Sequence, residues 1–301
     1  MNGMNWSQRW KWWRQRKVSS PPDDIHRAGE LAEQRLAKIS RAAGKTNGWN
    51  VFESVRIPDI EQGGKREIDL VIVGGGTMLV VEQKHWSGSF TINHKEEFIQ
   101  ERNNGTSHNH STVSQRIERK AKILHEMFKA RHPDGKEITV RVLLAFTHHK
   151  LEWPNNVGIL NSDVRNENQF INLLEEENPG PLNQDLFDFV NGFGTWDEIE
   201  LNGGLMLKGD VLGLGLGDDI ARWQNSCEEP LLGNASHARS FFSLWSKEPS
   251  NVELYYGQQH VKASLPYGKS LRMHVVGRKE PEDVPWAGIV RLNLSKPPSS
   301  P

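Results

Sequence analysis

Residues Arg66–Lys84 read REIDLVIVGGGTMLVVEQK, and the rest of the chain is arranged about them. Two runs rich in Ile, Val and Leu flank Gly74-Gly75-Gly76-Thr77, the pattern of a β-hairpin. A two-residue turn at Gly75-Gly76, or a loop one step wider, gives the same register. Val73 then faces Met78, Val71 faces Val80, and Asp69 faces Glu82. Because side chains alternate along a strand, Glu82 and Lys84 share one face and Asp69 joins them across the ladder. Opposed residues have Cβ atoms about 5 Å apart, where like charges repel. Two carboxylates on an apolar hairpin therefore call for a cation. Lys84 supplies part of it, and a divalent metal satisfies both oxygens better. Without a metal, repulsion and partial burial are both expected to raise the pKa values of the pair.

Three further stretches fall into line with this hairpin. Gly29-Glu30 opens an amphipathic helix upstream, Glu67-Ile68-Asp69 ends in the acid, and Glu82-Gln83-Lys84-His85-Trp86-Ser87-Gly88 follows. The set resembles the NERD family, the nuclease-related domain of the PD-(D/E)XK nuclease superfamily, whose pattern runs G-E, then I-D, then E-x-K-x-W-x-G. The resemblance covers roughly Gly29 to Thr147. It departs at His85, where the family commonly has Asn, and no Pro precedes Gln115, which stands where relatives often have Gln.

The resemblance implies a restriction-endonuclease-like α/β fold, a mixed central sheet flanked by helices. It implies a metal-dependent nuclease hydrolysing phosphodiester bonds, with DNA as the expected partner and RNA not excluded. Glu30, Asp69, Glu82 and Lys84 would be its catalytic residues. Mg²⁺ or Mn²⁺ would be held by Asp69, Glu82, the backbone carbonyl at Gln83, and Glu30. A prokaryotic setting in defence or DNA processing goes with the family. The competing reading is a non-catalytic nucleic-acid- or partner-binding protein on the same fold.

Composition bounds these readings. The 301 residues suffice for two ordinary domains, and a net charge of −1 gives no global attraction for nucleic acid. Binding must come from local basic patches. Cys227 is the single cysteine, which excludes an internal disulfide and fits a reducing compartment. No apolar run approaches the roughly 18 residues of a membrane span, and no secretory signal is read. A cytoplasmic protein is expected.

Residues 1–24 form a basic leader. Trp6, Trp10, Trp12 and Trp13 interleave with Arg9, Lys11, Arg14, Arg16 and Lys17, and no acid precedes Asp23. It reads as a flexible terminus docking its tryptophans, a nucleic-acid tether, or an interfacial membrane segment. The nuclease-like domain is expected over 25–192. Its first helix, Ile25 to Ala43, has Ile25, Ala28, Leu31, Ala32, Leu36 and Ile39 as its apolar stripe. Strands are expected at Asn50–Ile57, Ser89–Ile92 and Ile138–Thr147, a helix at Ser111–Arg131, and further helices at Asn166–Glu177 and Leu182–Val190. His94 to His110 is expected to be a loop. His148-His149 follows a strand, where neighbours face apart and make a poor joint metal site.

Beyond Asn191-Gly192-Phe193-Gly194 the texture changes to short strands with Gly-rich turns. Residues 193–294 are expected to form a mostly-β domain, a small antiparallel sheet or partly open barrel that could take a protein partner or a second copy. Gly213–Gly217 lacks the spacing of a nucleotide loop. The Pro/Ser-rich tail, 295–301, is expected to be disordered.

Overall fold

The computed structural model describes residues 6–21, 24–59, 61, 65–95, 97–154, 163–216, 229–239, 241–242, 245, 250–265 and 268–296, without the side chains of residues 24–30. Cys227, Gly217 and residues 297–301 of the tail lie outside the described residues. The chain forms two compact units, Met1–Asp24 with Gly194–Ser299, and Ile25–Phe193. The first contains helix α1 (Trp6–Gln15).

In the second unit, α2 (Asp24–Gly44) leads into β1 (Asn50–Pro58), β2 (Lys65–Gly74) and β3 (Thr77–Lys84). Then come β4 (Gly88–Ile92), β5 (Phe98–Glu101), β6 (Ser107–His110) and α3 (Val113–Arg131). The unit ends with β7 (Thr139–Phe146), β8 (Leu151–Glu152), β9 (Asp163–Asn166), α4 (Glu167–Glu176) and α5 (Gln184–Asn191). The central sheet has the order β1-β2-β3-β7-β9. Its first two pairings are antiparallel and its last two parallel, so it is the expected mixed sheet. A smaller sheet runs β6-β5-β4-β8.

The hairpin closes at Gly75-Gly76, with Gly74 opposite Thr77, Val73 opposite Met78 and Val71 opposite Val80. Only Gly75 of the central pair is left-handed, with φ 53°. The strands then sort their side chains to two faces. Val71, Val73, Met78 and Val80 pack with Ile117, Leu124 and Phe128 of α3 and with Leu186 and Phe189 of α5. Leu70, Ile72, Leu79 and Val81 pack with Leu36 and Ala37 of α2 and with Phe170, Leu173 and Leu174 of α4. Both faces of the sheet are covered, which explains the near-continuous apolar runs in β2, β3 and β7.

Two expectations in this unit fail for identifiable reasons. Leu31 is 55% exposed, whereas Leu36 and Ala37 are buried. At about 100° per residue, Leu31 is turned roughly 120–140° from both, off their stripe. The expected loop His94–His110 contains β5 and β6, paired antiparallel with Phe98 opposite His110. Phe98 and Gln100 alternate inward, and Gly105, left-handed at φ 79°, closes the turn between the strands. Polarity hid a hairpin whose Asn104-Gly105 turn was in plain view.

The C-terminal unit holds β10 (Asp197–Leu201), β11 (Met206–Gly213), β12 (Leu231–Ser236) and β13 (Ser250–Tyr256). They are followed by β14 (Gln259–Leu265), β15 (Ser270–Val275), β16 (Glu282–Pro285) and β17 (Ile289–Leu294). All join one antiparallel sheet in the order β14-β13-β12-β17-β10-β11-β15-β16. Ile199, Leu254, Met273, Leu292 and Trp286 pack its core, and the Trp286 indole donates to the Leu214 carbonyl at 2.7 Å.

Residues 6–21 of the leader are folded into this unit. Arg16 is only 2% exposed and donates to the Ala238 carbonyl at 2.7 Å, with its guanidinium 3.7 Å over the Trp12 ring. The chain after α1 then runs beside the β10–β11 turn. Ser20 N donates to the Asn202 carbonyl, Leu205 N to the Ser20 carbonyl, and the Asn202 amide to the Val18 carbonyl. Gly203, at φ 101°, makes room, since a Cβ there would lie 2.7 Å from Ser20 N. At the other end, Ser295 of the expected disordered tail donates its N–H to Asp197 at 2.9 Å.

The hairpin turn gives a paired test. A Cβ on Gly75 would meet the Pro179 carbonyl oxygen at 1.8 Å and carry a positive φ, whereas one on Gly76 meets nothing nearer than 3.9 Å. Gly75→Ala is expected to cost about 1–3 kcal/mol and Gly76→Ala under about 1, read by thermal denaturation. Equal melting temperatures for the two variants would refute this hairpin geometry.

Candidate active site

The strand alternation that buries Val80 toward α3 carries Glu82 and Lys84 to the same side, and the register brings Asp69 across from them. The ladder itself stops one step earlier, at Leu70–Val81. In place of ladder pairing, Gln83 N donates to Asp69 Oδ2 at 2.7 Å. On the other side of β2 the ladder also skips Asp69, since Glu53 pairs with Leu70 and Val55 with Ile68. The residue at that step, Ser54, is left-handed at φ 50°. Such a conformation is uncommon outside Gly. The kink lets Ile68 and Val71 enter the same core cluster, although simple alternation would part them.

Glu82 sits between two ammonium groups. Lys84 Nζ donates to Oε1 at 2.7 Å and Lys120 Nζ, from α3, to Oε2 at 2.8 Å. All three side chains are largely buried, at 16% exposure for Glu82 and Lys120 and 21% for Lys84. Charges so placed interact much more strongly than surface pairs.

The electrostatics split the pair. Asp69 keeps some accessible surface as a residue, but dense protein surrounds its carboxyl. Burial and then the Glu82 charge push it up to about 7, against the opposing pull of Lys84, the Gln83 N–H and Lys120. Glu82 is buried too, which alone would raise it, yet Lys84 and Lys120 together hold it below the usual range. The joint upward shift expected from sequence is therefore corrected. Both cations contact Glu82, so the negative charge settles there and the proton on Asp69.

Gln83 points to the opposite face. Its side-chain amide donates to Thr147 Oγ1 at 3.1 Å, and His85 Nδ1 lies 3.0 Å from the same hydroxyl. Burial and the neighbouring His148 lower the pKa of His85. The His148 and His149 rings stack at 5.2 Å rather than facing apart, because β7 ends at Phe146. Among the described residues no group of three or more His, Cys, Asp and Glu is placed to hold a metal ion.

Asp69, Glu82 and Lys84 are thus brought together, with Gln83 contributing its backbone. The Glu30 side chain lies outside the described residues; its helix, α2, buries Leu36 and Ala37 on the opposite sheet face. Sequence reasoning missed Lys120, and the signal was helical phase. Lys120 stands three residues after Ile117 and four before Leu124, both buried, so it lies on the inward stripe. A lysine there needs a carboxylate partner. Thr147 was also missed.

The comparisons bear on this geometry. Residues 28–147 match the family model of NERD, the nuclease-related domain. The NERD match takes in the hairpin, α3 with Lys120, and β7 with Thr147, and it leaves out α4, α5 and the eight-stranded sheet. No curated protein and no solved structure matches the chain.

The donor set is chemically suited to a hard divalent cation: two carboxylates and a neighbouring backbone carbonyl, all oxygen. The state of Asp69 then governs stability. Its carboxyl binds the proton more tightly folded than unfolded, so its contribution is full below about pH 3.8 and lost as pH rises through about 7. Glu82 runs oppositely, contributing above its ordinary range and losing that as pH falls. In EDTA at pH 8, Asp69→Asn is expected to melt higher than wild type, with the gap closing toward pH 4. Excess Mg²⁺ is expected to raise the wild type alone. A less stable variant at pH 8, with Mg²⁺ shifting both proteins equally, would contradict the charge assignment.

Proposed function

We propose that the protein is a metal-dependent nuclease that hydrolyses phosphodiester bonds in DNA. The observation that carries this reading is the meeting of Asp69, Glu82, Lys84 and Lys120 on one sheet face inside the NERD match. Asp69 and Glu82, with the Gln83 carbonyl, are the residues that would hold Mg²⁺ or Mn²⁺; Glu30, whose side chain lies outside the described residues, is added by the family resemblance alone. When bound, the ion would polarise the scissile phosphate and lower the pKa of a water.

The chain's own groups then have separable tasks. Gln83 N–H fixes the Asp69 carboxyl at the strand end. Burial makes Asp69 hold its proton up to about neutral pH, so it would have to lose that proton to serve as a metal ligand. Lys84 and Lys120, which bracket Glu82 at the same strand end, would face the phosphate oxygens of a bound substrate. There Lys84 orients the attacking water and both lysines offset the charge that builds as the new P–O bond forms and the old one breaks. Preorganisation by Thr147, through Gln83, keeps the strand end in register.

A non-catalytic binding protein on this fold is the second reading. One observation favours it: both Glu82 oxygens are already satisfied by ammonium groups. Incubating the protein with plasmid, linear duplex and single-stranded DNA, in Mg²⁺, Mn²⁺ or EDTA, separates the two. The nuclease reading expects cleavage that EDTA abolishes. It also expects losses of at least about 10²-fold in Lys84→Ala, Asp69→Ala and Lys120→Ala, with unchanged circular dichroism. Intact DNA under every condition, bound equally by all variants, would establish the second reading instead.

A further inference from the structure

The C-terminal unit carries a surface that the site chemistry does not use. Residues Trp6, Trp10 and Trp13 recur on one stripe of α1, and Lys17 follows one turn on. Trp10 stacks on Trp13 at 5.3 Å, and Lys17 Nζ lies 4.0 Å over the Trp13 ring. Trp6 and Trp10 remain 49% and 40% exposed. Aromatic residues from the other end of the unit extend the patch. Trp6 meets Trp245 at 4.9 Å and Trp13 meets Phe241 at 5.9 Å, while Phe242 stands 79% exposed. Beside the helix opens a cleft of about 560 Å³, lined by Trp10, Lys11, Trp13, Arg14, Gln15 and Lys17, with Val18 at its end.

The chemistry of this cleft names its ligand. Between Asn5 and Lys17 the chain contains no acid and no aliphatic side chain; its only apolar residues are tryptophans. A helix that lies in a lipid interface builds its apolar face from Leu, Phe and Trp together. A helix that combines indoles with guanidinium and ammonium groups instead offers flat π-surfaces for bases and cations for phosphates. Most of its cations face outward; Arg16 is the exception, buried over Trp12 and bound to the Ala238 carbonyl. That anchoring orders the helix before any ligand arrives, so less ordering entropy is lost on binding.

We propose that this cleft binds single-stranded nucleic acid, with Trp10 stacking on a base and Lys11, Arg14 and Lys17 meeting backbone phosphates. The proposal adds a second nucleic-acid contact to the function proposed above, and binding alone tests it, so its outcome is separate from that of cleavage.

Fluorescence anisotropy of labelled dT20 and of a 20-base-pair duplex, with full-length protein in EDTA at several salt concentrations, provides the test. Trp10→Ala is expected to weaken dT20 binding by about 5- to 100-fold, and Trp10→Phe, which keeps a ring, by much less. The pair Lys11→Gln with Arg14→Gln is expected to lower the slope of log affinity against log salt by about 1.4, since each phosphate contact on a single strand contributes about 0.7. Near-identical melting temperatures verify folding, and the charge variants, on exposed positions, carry the test should Trp10→Ala unfold. Unchanged dT20 affinity in the folded variants would overturn the proposal. So would binding of anionic phosphatidylserine vesicles that is lost in Trp10→Ala while dT20 affinity is retained, which would assign the surface to a membrane.

Discussion

The Glu82 carboxylate, held between the ammonium groups of Lys84 and Lys120, is the interaction on which the arrangement of the site depends. It ties the end of β3 to the middle of α3. It also determines where charge resides. With both cations bonded to Glu82, their field on the neighbouring Asp69 is outweighed by burial and by the Glu82 carboxylate, and Asp69 keeps its proton toward neutrality. A buried cluster of this kind stabilises little by itself, because desolvation offsets much of the Coulomb attraction.

The backbone is irregular at this point. Asp69 falls out of the ladder on both sides, and the Ser54 step beside it is left-handed, a conformation that costs about 1–2 kcal/mol for a residue with a Cβ. Unpaired strand ends and strained residues concentrate at functional sites, where surrounding packing over-determines them. Here the packing is the two-faced core: Leu70 and Ile72 engage α2 and α4, and Val71 and Val73 engage α3 and α5. On the reverse face, Thr147 ties the Gln83 and His85 side chains together, so the three-residue run Glu82-Gln83-Lys84 is gripped from above and below.

Much of this was legible in the residues. The Gly75-Gly76 turn and alternating strands specified the register, and the register alone placed Asp69 beside Glu82 and Lys84. Lys120 was legible in principle from its phase on α3, but a basic helix is ordinarily solvated and that prior hid it. The opposed pKa shifts were not legible, because they depend on which carboxylate both cations reach, a matter of tertiary distance. The β5–β6 hairpin was obscured by polar composition. The leader's place in the C-terminal unit was hidden for another reason: it rests on backbone hydrogen bonds of Val18 and Ser20 to the β10–β11 turn, which side-chain pattern does not encode.

The central claim is that this cluster is a metal site whose lysines give way to a divalent cation. Crystals grown at neutral pH and soaked in Mn²⁺, with anomalous difference maps collected at the manganese edge, test it most directly. The account expects a peak between the Asp69 and Glu82 carboxylates, with the Lys84 and Lys120 ammonium groups moved off Glu82. A map without a peak at that position, and with Glu82 still held by both lysines in saturating Mn²⁺, would contradict it.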